Sequence, residues 1–134
     1  MTRCLVLAFL LLSFGGVSPA ATSPRARGEE RVTWVQFYHF DLTEGRLRYY
    51  YDPTSIRRHN DILAARWRVT SSRFGTTTLY SIDIACRAGR FTETGTVLID
   101  RDGRARTLPP AELLQDQAIR RGTSGDVFRR AFCR

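Results

Sequence analysis

Between residues 32 and 108 the chain is divided by turn-forming residues into short runs of β-branched and aromatic side chains, with no room between them for a long helix. Residues 32–40 (VTWVQFYHF), 46–51 (RLRYYY), 62–70 (ILAARWRVT), 78–87 (TLYSIDIACR), 91–100 (FTETGTVLID) and 104–108 (RARTL) each read as a strand, because such side chains pack well on a pleated surface. The breaks between them have their own chemistry. Asp41 to Gly45 is a turn, and Pro53 fixes φ and removes a donor. Gly75 sits in a loop, and Asp102-Gly103 is a hairpin signal. Asp52 reads as a turn former whose carboxylate accepts backbone N–H groups near Thr54 or Ser55. Strands recurring at intervals of about 10 to 15 residues predict an antiparallel meander of about six strands.

Pro109-Pro110 ends that pattern, and the C-terminal residues beyond it have helical character. Residues 110–121 carry a proline at a possible first helical position and Gly122 just beyond the end, which predicts a helix on local propensity. Residues 124–133 predict a second, amphipathic helix with Ser124 as its N-cap. Asp126 lies in its first turn and Arg129, Arg130 and Arg134 toward its end, as the helix dipole favours. Val127, Phe128, Ala131 and Phe132 form its apolar stripe. The expected architecture is α+β and β-dominated: one antiparallel sheet with the C-terminal helix packed on one face. Trp67 is expected between sheet and helix, near Phe128 or Phe132.

The N-terminus reads differently. A positive Met1-Thr2-Arg3 is followed by the apolar run CLVLAFLLLSF (4–14) and by small residues ending in Ser18-Pro19-Ala20. That is the shape of a secretory signal peptide over residues 1–20; a membrane span needs about 20 apolar residues. Residues 21–30 (ATSPRARGEE) read as a flexible leader, and residues 31–134 as the folded domain. No transmembrane segment is expected once the signal is removed. Cys4 leaves with the signal, so Cys86 and Cys133 remain, and in an oxidising compartment such a pair most often forms a disulfide. A domain of about 100 residues has a modest core, and the crosslink would help it. Zinc held by Cys86, Cys133, His39 and His59 is the rival, but no pair has ligand spacing, and no metal is expected.

Apolar residues make up 43% and charged residues 25% of the chain, a globular composition that excludes collagen-like and wholly disordered readings. Basic residues number 21 against 13 acidic ones, for a net charge of +8, and every basic residue is arginine. Three expected strands contain Arg-x-Arg: Arg46 and Arg48, Arg66 and Arg68, Arg104 and Arg106. Alternation puts each pair on one face and Leu47, Trp67 or Ala105 on the other. If the middle residues face the helix, six arginines share the outer face, where they would attract anionic polymers. The competing reading is a solvated face that keeps a half-buried sheet soluble. Export makes nucleic acid an unexpected partner. Catalysis is not expected either: only His39 and His59 could serve as histidine bases, no G-x-S-x-G occurs, and no carboxylate pair stands out. Haem ligation by His39 or by one of Tyr49, Tyr50 and Tyr51, with arginines on the propionates, is a further reading. A tyrosine run on a strand is more often core on one face and rim on the other.

Three stretches resemble the surface-adhesin protein E-like family of small exported bacterial proteins. YYDPTSIRR (50–58) is similar to the family's aromatic–Asp–x–x–Ser–Ile–x–Arg segment. IDIAC (82–86) is similar to its first-cysteine strand, and GTSGDVFRRAFC (122–133) to its terminal helix. With Trp34, the likeness spans residues 32–134. Members often place an acid directly before the first cysteine; here Ala85 stands there and the acid is Asp83. The resemblance implies a single antiparallel sheet whose C-terminal helix is held by the disulfide, in a non-enzymatic periplasmic or surface protein. The namesake adhesin binds host matrix components and haem. The partners implied are a host matrix protein or an anionic envelope polymer. The alternative is a periplasmic structural or accessory protein without adhesin activity.

Overall fold

The computed structural model describes Arg31–Arg134; the expected signal peptide (1–20) and leader (21–30) lie outside the described residues. Eight strands follow one another: β1 Val35–Leu42, β2 Gly45–Tyr51, β3 Arg57–His59, β4 Ile62–Ser71, β5 Thr76–Ala85, β6 Arg90–Ile99, β7 Ala105–Thr107 and β8 Gln117–Ala118, then helix α1, Ser124–Phe132. They form one antiparallel sheet in the order β1-β2-β4-β5-β6-β7, the six main strands. The short β3 and β8 pair with β4 and β6. The architecture is the expected one, an antiparallel β-dominated sheet with a single C-terminal helix on one face. Among the described residues no helix is long and apolar enough to cross a membrane.

Alternation along β4 sets the core. Leu63, Ala65, Trp67 and Val69 are buried on one face, and cross-strand partners Ile82 and Ile84 of β5 join them. The helix closes this face with Phe128, which is 0% exposed. Its ring lies 5.1 Å from Phe37 and from Trp67, 5.6 Å from Tyr51 and 4.5 Å from Phe132, centroid to centroid. Trp67, 8% exposed, is therefore where the alternation predicts it. A bulge in β1 between Gln36 and Tyr38 contributes to the same cluster. The extra residue lets Phe37 pack on Tyr49, Tyr51 and Trp67 while Tyr38 meets Tyr49.

Helix α1 is capped by Thr123, whose hydroxyl accepts from the Asp126 N–H, one residue earlier than the Ser124 cap the sequence suggests. At its other end Cys133 reaches Cys86, just past the end of β5, with the sulfurs at bonding distance and the Cα atoms 5.5 Å apart. Arg129 adds a hydrogen bond from its Nε to the Cys86 carbonyl, 2.7 Å. The disulfide is compatible with an exported protein.

The helix expected over residues 110–121 does not form. Only a 3-10 turn, Pro110–Glu112, and the strand β8 are regular there. The segment instead completes the outer edge of β6, beyond the three residues that β7 covers. Glu93 N–H donates to the Leu114 carbonyl at 2.8 Å, Asp116 N–H to the Thr92 hydroxyl at 3.1 Å, and Ile119 N–H to the Gly89 carbonyl at 2.8 Å. Asp116, with φ of 48°, turns the chain in a way that no helix continues through. An open edge on a central strand has unpaired donors and acceptors, and pairing them outweighs a weak helical preference.

Trp67→Ala and Phe128→Ala should each cost roughly 3–5 kcal/mol, as for large aromatic truncations in a core. The drop should be visible in urea unfolding; a midpoint close to the parent's would contradict this core. Cys133→Ala should remove loop-closure stabilisation of at most about 4 kcal/mol. Thiol labelling of the unreduced, unfolded mature chain should find no free cysteine, and two labels per chain would contradict the bridge.

Candidate functional site

Register fixes which side chains share the face opposite the helix. Tyr49 and Tyr51 stand opposite Val69 and Trp67, so they belong to the helix side. Arg46, Arg48 and Tyr50 therefore point the other way, with Tyr50 directly opposite Arg68 and Arg48 opposite Thr70. His39 stands opposite Arg48, and Arg66 opposite Ser81. Four of the six expected arginines, Arg46, Arg48, Arg66 and Arg68, thus share one face with Tyr50 and His39. Arg46 pairs with Asp41, and that hydrogen bond holds the Asp41 carboxyl below its ordinary value. Arg48 and Arg68 have no ion-pair partner among the described residues. Arg68 Nε is buried without an acceptor.

Arg66 is the best-positioned of the four. Its guanidinium lies 3.8 Å from the Asp52 carboxylate and 5.9 Å from the centre of the Trp34 ring. Asp52 is 2% exposed and, as its place before Pro53 suggests, accepts from the Thr54 N–H at 2.9 Å and the Thr54 hydroxyl at 2.6 Å. The Asp52 N–H donates to the Arg66 carbonyl, and the Ser55 hydroxyl accepts from the Arg66 N–H. The turn after β2 is thereby tied to the middle of β4.

The third Arg-x-Arg pair is not on this face. Ala105 stands opposite Ile99, and Arg106 opposite Leu98. Leu98 in turn faces Thr78 and Val69, on the helix side. The cause is the length of the hairpin. A two-residue turn at Asp102-Gly103 would set Ile99 against Arg106. Here Asp100 instead exchanges hydrogen bonds with Arg104 across a three-residue loop, with Gly103 at φ of 80°. The shift of one residue turns Arg104 and Arg106 to the other side. Arg106 there approaches Glu112 at 3.7 Å.

The helix side has a feature that alternation alone does not reveal. An open cleft of about 480 Å³ lies between the aromatic residues Tyr38, Phe40, Tyr49, Trp67 and Phe91 and the chain from Ala118 to Gly125. A smaller lobe of about 170 Å³ shares Tyr49, Trp67, Phe91 and Ser124 and extends to Tyr80 and Glu93. Burial raises the pKa of Tyr49 and of Tyr80; beside Tyr49 the Tyr38 phenol adds to the rise, and beside Tyr80 the Glu93 carboxyl does. Both phenols stay protonated at neutral pH. Glu93 is buried and accepts from the Thr96 hydroxyl at 3.2 Å and the Leu114 N–H at 3.3 Å. The Trp67 indole N–H is buried without an acceptor. Trp67 was legible as a residue between sheet and helix; the bend of residues 113–122 that leaves the cleft open beside it was not.

His39 and His59 are both exposed. Phe37 and His39, two apart in sequence, lie on opposite faces because the bulge intervenes. His39 is thus on the arginine face, while Tyr49 lines the cleft on the other. Tyr50, by contrast, shares the arginine face with His39. Among the described residues no three His, Cys, Asp or Glu side chains cluster as a metal would require. No family model, curated protein or solved structure matches this chain.

Asp52→Ala should cost about 1–3 kcal/mol, because buried partners lose their acceptor. Asp52→Asn keeps one acceptor oxygen and should lose less. Unfolding midpoints compare the two; equal losses would mean that the charge toward Arg66, rather than the turn, is what matters.

Proposed function

We propose that this chain is a non-enzymatic binding module of the bacterial cell envelope, similar to surface-adhesin protein E-like proteins, that holds anionic polymers on its arginine face. The observation that carries this reading is the set of four arginines on adjacent strands β2 and β4, two of them without an acid partner among the described residues. Guanidinium forks match sulfate, phosphate and carboxylate oxygens, and their charge does not titrate away at any pH the envelope meets. Tyr50 and Trp34 add flat apolar area beside them. An anionic envelope polymer or the sulfated glycan of a host matrix presents the complementary charge. Export is supported by the apolar N-terminal run and by the Cys86–Cys133 pair.

Retention on immobilised heparin tests the face. The mature protein should bind at low salt and elute steeply as salt rises, since exposed charges are screened beyond about 10 Å at 0.1 M. Changing Arg46, Arg48, Arg66 and Arg68 to Gln should abolish retention. Changing Arg104, Arg106, Arg120 and Arg121 removes equal charge from the helix side and should leave most of it. Equal loss from the two sets would reduce the effect to net charge and overturn the proposal.

A further inference from the structure

The cleft on the helix side offers chemistry the arginine face does not. Its floor is the aromatic set Tyr38, Tyr49, Trp67 and Phe91, and its outer wall is the chain leading into α1. Two consecutive exposed arginines, Arg120 and Arg121, line the same cleft. Neither has an ion-pair partner among the described residues. The acids nearest in sequence are engaged elsewhere: Asp116 pairs with Arg90 at 2.6 Å, and Asp126 with Arg130 at 3.3 Å. Burial raises the pKa of the Tyr49 and Tyr80 hydroxyls, so these two add no negative charge. In the adjoining smaller lobe stands the buried carboxyl of Glu93, already accepting two hydrogen bonds. An apolar aromatic floor and a cationic rim give the cleft a polarity.

We infer that this cleft binds an amphipathic carboxylate, with its acyl tail against Tyr38, Tyr49, Trp67 and Phe91 and its carboxylate between Arg120 and Arg121. The tail goes inward because the walls are apolar and Glu93 offers no partner to an anion. The head stays outside, where two guanidinium groups face water and lack a counter-charge. The site lies on the opposite side of the sheet from the proposed polymer-binding face and does not depend on it.

The chain has two tryptophans, so Trp34→Phe leaves Trp67 as the single indole reporter inside the cleft. Decanoate should shift the Trp67 emission saturably. Decanol, with the same tail and no charge, should bind on the order of tenfold more weakly, and acetate, with the charge and no tail, should leave the emission unchanged. Adding Arg120→Gln and Arg121→Gln should bring decanoate down to the affinity of decanol without altering decanol itself. In the same background, Gln at Arg46, Arg48, Arg66 and Arg68 should leave decanoate binding as it was. No saturable shift with decanoate would overturn the inference. So would an affinity for decanoate that survives loss of both cleft arginines, or a response to acetate equal to that of decanoate.

Discussion

The ring of Phe128 reaches the sheet where β1, β2 and β4 lie side by side, touching Phe37, Tyr51 and Trp67 at once. A nine-residue helix would not hold its shape alone in water, because nucleation is costly and few hydrogen bonds are gained. Here the helix is held by burial of that ring, by the Cys86–Cys133 bridge near its C-terminal end and by Arg129 on the Cys86 carbonyl. The sheet needs the helix in return. Without it Leu63, Trp67, Ile82 and Ile84 would face water on one side of a single layer. A one-layer sheet has nothing else to bury them against.

That single contact also separates the two faces chemically. Side chains toward α1 make a largely aromatic and aliphatic core; those pointing away are Arg46, Arg48 and Tyr50 on β2 and Arg66, Arg68 and Thr70, with Ile62 and Ala64, on β4. The helix does not cover the whole of its side. Residues 113–122 pair along the edge of β6 and so cannot fold as a helix over the remaining aromatics. The cleft beneath Arg120 and Arg121 results from that pairing. One segment thus satisfies an open strand edge and shapes a concavity.

Much of this was legible in the chain. Strand positions 46–51, 62–70, 78–87 and 91–100 follow from β-branched and aromatic runs between turn residues, and alternation around Trp67 assigns the buried face of β4. Asp52 before Pro53 forms its turn as expected, since its carboxylate acts within three residues of its own position. The Phe128 and Phe132 stripe finds the helix and its buried side. Each of these rests on neighbours in sequence or on a period of two or 3.6.

Local pattern alone determined the meander, the helix with its apolar stripe and the alternation within each strand. Which alternating set of β7 joins which face was decided by tertiary structure, because one extra loop residue at Asp100–Arg104 reverses every side chain after it. The same holds for the β1 bulge, which sends Phe37 and His39 to opposite faces despite their even spacing. It holds for residues 110–121, whose helical propensity is real but small beside the hydrogen bonds the β6 edge supplies. Propensity and periodicity are properties of a segment, whereas register, bulges and edge pairing depend on the strand across the gap.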